Sequence, residues 1–254
     1  MDTYIMTLLI VCPLVFIAGF IDSIAGGGGI ISLPAYVFAG IPIQVAHGTN
    51  KFANCIGTSI AARKFFKTGN VKLKPALFAA GGALVGSAIG AQMVVLLDEK
   101  ILQYCLMIIL PIVALFLMFN KGFGSEDKVR ELPEMKLNML SLIIGLAVGG
   151  YDGFFGPGTG TFLVIAFSTI CGLNIIVSSG NAKIVNLASN FAALIVYLLN
   201  GKIFFALGIP AAICSVLGNY LGSHLAIKKG AKFIKVIILF AVALLFGKII
   251  IDFI

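Results

Sequence analysis

Four ionisable residues interrupt otherwise apolar stretches of this chain: Asp22, Lys51, Asp152 and Lys183. A charge at the depth of a bilayer costs about 2.5–3.5 kcal/mol even on a lenient insertion scale, so it is paired or it lines a wet cavity. Two compatible chemistries follow. The lysines can attract an oxyanion while the aspartates carry coupling protons, or each aspartate can pair with a lysine and tie a hairpin to the next helix. Asn50, Asn54, Asn181 and Asn186 lie within four residues of a lysine, and Asn54 and Asn186 are one helical turn beyond it on the same face. They can hydrogen-bond a ligand or a neighbouring helix.

Two glycine-rich turns complete the set of candidates. One is Gly26-Gly27-Gly28-Gly29, the other Gly156-Pro157-Gly158-Thr159-Gly160, and each precedes a short apolar arm, Ile30–Gly40 or Thr161–Ile170. An arm of about ten residues reaches roughly 15 Å as a helix, half a bilayer. The turns are therefore expected inside the membrane, as tips of discontinuous or re-entrant hairpins. Each tip then carries a helix N-terminus, whose free N–H groups and positive dipole end favour an anion. This makes Gly26, Gly27, Gly28, Gly156, Gly158 and Thr159 candidate ligand contacts. The alternative is that the glycines are tight turns and packing notches. Neither turn is a nucleotide loop, because no GxxxxGK[ST] is present.

The elements that would position these residues are membrane helices. Of the 254 residues 60% are hydrophobic and only 11% charged, with mean hydropathy +1.10, whereas a soluble globule is about a quarter charged. Tyr4–Ala25, Leu77–Leu97, Ile101–Phe119 and Phe233–Phe246 are long enough, or nearly so, to cross a hydrocarbon core. Tyr4–Ala25 lacks the basic start of a secretory signal. The net charge of +8 does not indicate nucleic acid, since the basic residues gather in short connections. Cys12, Cys55, Cys105, Cys171 and Cys214 sit singly and read as small buried residues, without metal-site or disulfide spacing. His47 and His224 read as structural or interfacial, and no cofactor or metal is expected. Gly82, Gly86 and Gly90, and likewise Gly218 and Gly222, have the spacing of a close helix-packing face.

The chain contains one unit twice. At an offset of 130, Gly19, Asp22, Gly26 and Gly28 match Gly149, Asp152, Gly156 and Gly158. At an offset of 132, Gly40, Gly48, Lys51, Asn54, Gly69, Gly86 and Gly90 match Gly172, Gly180, Lys183, Asn186, Gly201, Gly218 and Gly222. The expected organisation is a first repeat over 1–119, a polar cytoplasmic linker over 120–136 and a second repeat over 137–254. Placing the basic loops 63–74, 121–136 and 228–235 on one side requires five segments per copy, with both termini outside. An odd number inverts the second copy, the plan of many secondary transporters. The fold class is thus an all-α polytopic membrane protein of two inverted repeats, each a glycine-tipped hairpin followed by three helices.

Asp22-Ser23-Ile24-Ala25-Gly26-Gly27-Gly28-Gly29, Thr49-Asn50-Lys51, Asp152-Gly153-Phe154-Phe155-Gly156-Pro157-Gly158-Thr159-Gly160 and Lys183 with Asn186-Leu187-Ala188-Ser189-Asn190 resemble the TauE/SafE family, also called the toluene-sulfonate uptake permease family. The resemblance covers nearly the whole chain. It implies transport of small sulfur-containing anions, such as sulfite, sulfonates or sulfoacetate, in a bacterial cytoplasmic membrane. The expected function is alternating-access transport by a protein that is not an enzyme, since no triad-like set or HExxH is present. An anion channel of the same architecture and a non-transporting accessory subunit are the alternatives. The expected partners are a small anion, membrane lipid and, as an open option, a second copy in a homodimer.

Overall fold

The structure is a computed structural model that describes residues 3–102, 104–105, 108 and 132–253. Among these residues the chain is helical: α1 Thr3–Ala25, α2 Gly29–Phe38, α3 Ile43–Lys67, α4 Leu73–Leu96, α5 Glu134–Phe154, α6 Thr159–Thr169, α7 Ile175–Leu199 and α8 Phe205–Phe253. The chain bends within α8 at Gly230 (φ 71°, ψ −161°). The block expected over 101–119 falls largely outside the described residues, as does the linker up to Glu131; Glu134–Lys136 form the first turn of α5.

Among the described residues, five helices are long and apolar enough to cross a membrane: α1, α4, α5, α7 and α8 up to Gly230. Their outward faces carry rows such as Val85, Ile89 and Met93 on α4 and Ile209, Ile213 and Leu217 on α8, all exposed and one turn apart. Such continuous apolar rows suit contact with lipid tails. The protein is a multi-pass membrane protein. α3 has the length to span, 25 residues, but it is too polar to face lipid. It buries that polarity against α7 and α8 instead, including His47, Thr49, Asn50 and Lys51.

Both short arms follow the glycine turns as expected, α2 with 10 residues and α6 with 11. Gly26 (φ 79°) and Gly156 (φ 94°) take left-handed backbone conformations that side-chain-bearing residues rarely adopt. Each turn folds back on the helix before it. A Cβ at Gly28 would overlap the Ala18 carbonyl oxygen on α1, and Tyr151 of α5 donates its hydroxyl to the Pro157 carbonyl.

The most extensive packing joins the two copies. α4 lies against α5 and α1 against α8, and in each case a small-residue face lets the backbones touch. Gly86 fits against the Leu146 carbonyl and its counterpart Gly218 against the Phe16 carbonyl; Gly90 and Gly222 meet Gly150 and Phe20 in the same way. α3 and α7 run side by side in opposite directions. The turn after α3 meets the start of α7, where Gly180 touches the Asn70 carbonyl, and the turn after α7 meets the start of α3, where Gly48 touches that of Lys202. The start of α7 also meets Gly230, and Lys74 pairs with Glu134 at 2.7 Å, which brings the first turns of α4 and α5 together. One cysteine reading needs correction: Cys171 is buried, but the other four are half-buried, which a small thiol tolerates.

Candidate functional site

The two tips, α3 and α7 enclose a narrow polar cavity. Asp22, Gly26 and Gly29 come from the first tip, and Asp152, Phe155, Gly156, Pro157 and Thr159 from the second. α3 contributes His47, Asn50, Lys51 and Asn54, and α7 contributes Asn186 and Asn190. The tips touch directly. Gly160 donates its N–H to the Gly26 carbonyl at 3.0 Å, and a Cβ on either residue would overlap the other's backbone. The N–H groups of Gly27, Gly28 and Gly29, at the start of α2, have no acceptor among the described residues. Of these three residues only Gly29 is on the cavity wall.

The lysine–aspartate pairs cross between the copies. Lys51 of α3 donates to Asp152 Oδ2 at 2.7 Å, and Lys183 of α7 reaches Asp22 Oδ2 at 3.2 Å. The expectation that each aspartate pairs with the next helix of its own copy is therefore corrected. Each lysine instead reaches the aspartate at the other copy's hairpin tip. Asp152 is fully engaged: its Oδ2 also accepts from Ser189 and its Oδ1 accepts from Thr159 at 2.8 Å. Lys183 gives two bonds to Asp22, one to the carboxylate and one to the main-chain carbonyl. Among the described residues Lys51 bonds only to Asp152, which leaves two of its three N–H donors without an acceptor there.

The asparagines form two ladders. Asn54 donates to Asn50 Oδ1 at 3.2 Å, and Asn190 to Asn186 Oδ1 at 2.9 Å, so each pair uses one carbonyl and leaves the Asn50 and Asn186 amide donors free. Lys51, Asn50 and Asn186 thus all keep donors without a partner among the described residues. Such a wall suits an oxyanion, which only accepts.

Of the residues expected from sequence, Gly26, Asn50, Lys51, Asn54, Gly156, Thr159, Asn186, Asp22 and Asp152 line the cavity. Gly27, Gly28, Gly158, Asn181 and Lys183 do not. Gly158 serves as the left-handed cap of α6 (φ 82°). Asn181 accepts from the Lys72 backbone N–H at 2.9 Å, and its counterpart Thr49 accepts from that of Phe204 at 3.0 Å. These two clamp the turns at the helix ends. Asn181 lies two residues from Lys183, about 200° round the helix, so proximity in sequence misplaces it. His47 and Asn190 join the cavity without having been candidates. The signal was available: His47 is one turn before Lys51 and Asn190 one turn after Asn186.

Comparison with known proteins agrees with this architecture. The model of the family described as "Sulfite exporter TauE/SafE" matches residues 11–249. The chain is 36% identical over 236 residues to the probable membrane transporter protein YfcA of Escherichia coli K12, covering 93% of this chain and 87% of that one. It is 32% identical to a probable membrane transporter protein of Haemophilus influenzae over 99% of this chain and 98% of that one. A more distant relative, the probable membrane transporter protein YdhB of Bacillus subtilis, is 26% identical over 86% of this chain and 88% of that one. No solved structure matches. With its two glycine-tipped hairpins and a family match over nearly its full length, the chain belongs to the TauE/SafE family of membrane transporters.

Proposed function

We propose that this protein is a secondary transporter that moves a small sulfur oxyanion or organosulfonate across a bacterial cytoplasmic membrane by alternating access. The observation that carries the reading is the cavity between the two tips, where Lys51 and the Asn50 and Asn186 amides offer unpaired donors. The family's description as a sulfite exporter supports the choice of a sulfur oxyanion. The two copies act as inverted repeats, with the antiparallel α3 and α7 as the central pair. The basic connections at the start of α4, before α5 and around Gly230 face the cytoplasm. The meeting of the first turns of α4 and α5 in the Lys74–Glu134 pair supports this side assignment for two of them.

Purified protein in liposomes should give saturable uptake of sulfite, or of a sulfonate such as methanesulfonate, without ohmic current in voltage-clamped bilayers. Currents at channel rates would replace the carrier reading with a channel, and absence of any anion flux would leave an accessory role. Labelling of single cysteines placed at residues 72, 133 and 229 should come from the cytoplasmic side only.

A further inference from the structure

We propose that His47 contacts the transported anion and takes up a proton together with it, an inference that rests on the transporter reading above. His47 is 3% exposed, and its ring stacks on Tyr197 of α7 with centroids 6.4 Å apart and planes 22° from parallel. It stands one turn before Lys51 on the same wall of the cavity, and neither ring nitrogen has a protein hydrogen-bond partner among the described residues. A buried imidazole that lines a polar cavity and has neither nitrogen bonded to protein can hydrogen-bond a ligand there.

The charges around it decide the second part. Lys51 faces the cavity from α3, Asp22 from α1 and Asp152 from α5; Lys183 of α7 stands behind Asp22, and α2 and α6 bring the uncharged Gly29 and Thr159. Two lysines and two aspartates sum to zero, so an arriving monovalent anion leaves the buried site with one net negative charge. A buried uncompensated charge is strongly unfavourable. Protonating Asp152 would undo its bonds from Lys51 and Ser189, and protonating Asp22 would weaken its hold on Lys183. His47 can take a proton without breaking an ion pair. Hydronium or a buffer acid gives its proton to the unprotonated imidazole nitrogen, leaving water or the buffer base, and the imidazolium stands beside the anion. When the anion departs, that N–H bond breaks and the proton returns to water on the side of release.

The test is calorimetric titration of purified wild-type protein with sulfite, sulfate and methanesulfonate in buffers of different ionisation enthalpy, with sulfite's own ionisation subtracted from a protein-free blank. The expected result is about one proton taken up per monovalent anion bound near neutral pH. His47→Gln, which keeps an amide donor and cannot titrate, should bind with that uptake abolished, and His47→Ala should also lose about tenfold or more in affinity. Wild-type binding without proton uptake, or unchanged uptake in folded His47→Gln, overturns the inference and leaves the transporter reading standing. Absence of binding of all three anions to folded wild-type protein overturns both.

Discussion

The two lysine–aspartate pairs began as equivalents and have diverged. Asp152 accepts from Lys51, Ser189 and Thr159, whereas Asp22 has a single side-chain partner, Lys183. The residues that make the difference occupy matched positions: Ser189 stands where the first copy has Gly57, and Thr159 where it has Gly29. The first copy has no room for a serine at 57, since a Cβ there would overlap the Ser215 hydroxyl. Two added hydroxyls thus hold Asp152 and let Lys51 keep donors in the cavity. On the other side Lys183 is wholly buried and spent on Asp22. Both pairs join the copies, but only Lys51 keeps donors for the proposed anion, while Lys183 is spent on Asp22.

The largest expected effect tests the Lys183–Asp22 pair. Lys183→Ala removes one of the bulkiest fully buried side chains and leaves Asp22 uncompensated, a loss of about 3–5 kcal/mol by analogy with soluble proteins. Detergent-solubilised protein should melt far earlier, and Asp22→Asn with Lys183→Met should recover most of the loss. If Lys183→Ala melts normally and loses anion affinity instead, the roles of the two lysines are reversed. Next, Lys51→Ala also leaves a buried carboxylate without its counter-charge, but Asp152 keeps hydroxyl donors, so the protein should lose less stability than Lys183→Ala does. Its anion affinity should fall by about tenfold or more, the worth of a hydrogen bond to a charged group. Calorimetry and melting on the same sample separate the outcomes.

Ser189→Ala makes the second pair resemble the first, and should lower stability by about 1–2 kcal/mol through a carboxylate left short of a donor. Equal melting temperatures for Ser189→Ala and wild type would mean that the hydroxyl does not hold Asp152. The smallest effect belongs to Asn181→Ala, about 1 kcal/mol from one lost bond to the Lys72 backbone, with unchanged affinity. A large affinity loss there would return Asn181 to the binding site.

Much of this was legible before any coordinates. The repeated Asp, Lys and Asn, the half-length arms and the glycine faces follow from spacing and from the cost of charge in lipid. The partner of each lysine was not legible. A repeat offset identifies equivalent residues, but it does not say whether equivalent contacts form within a copy or across copies. The glycine faces held a clue, since Gly86 and Gly218 each needed a bare backbone opposite, and both find it in the other copy. His47 shares the helical register of Lys51, but a lone histidine without metal-binding neighbours carries no site signal of its own in the sequence.

The meeting of Gly26 and Gly160 has a mechanical consequence. With backbone against backbone and one hydrogen bond between them, the two tips offer the proposed alternating-access motion a pivot of almost no radius. Parts that turn about such a point move little where they touch and far at their ends. A rotation of about 10° carries a point roughly 20 Å away, the half-length of a spanning helix, through about 3.5 Å, while the tips slide by a fraction of that. A methyl group on either glycine would set the tips apart and lengthen the arm on which they turn. In the proposed alternating-access cycle, the contact between Gly26 and Gly160 sets how far the ends travel for a given slide at the tips.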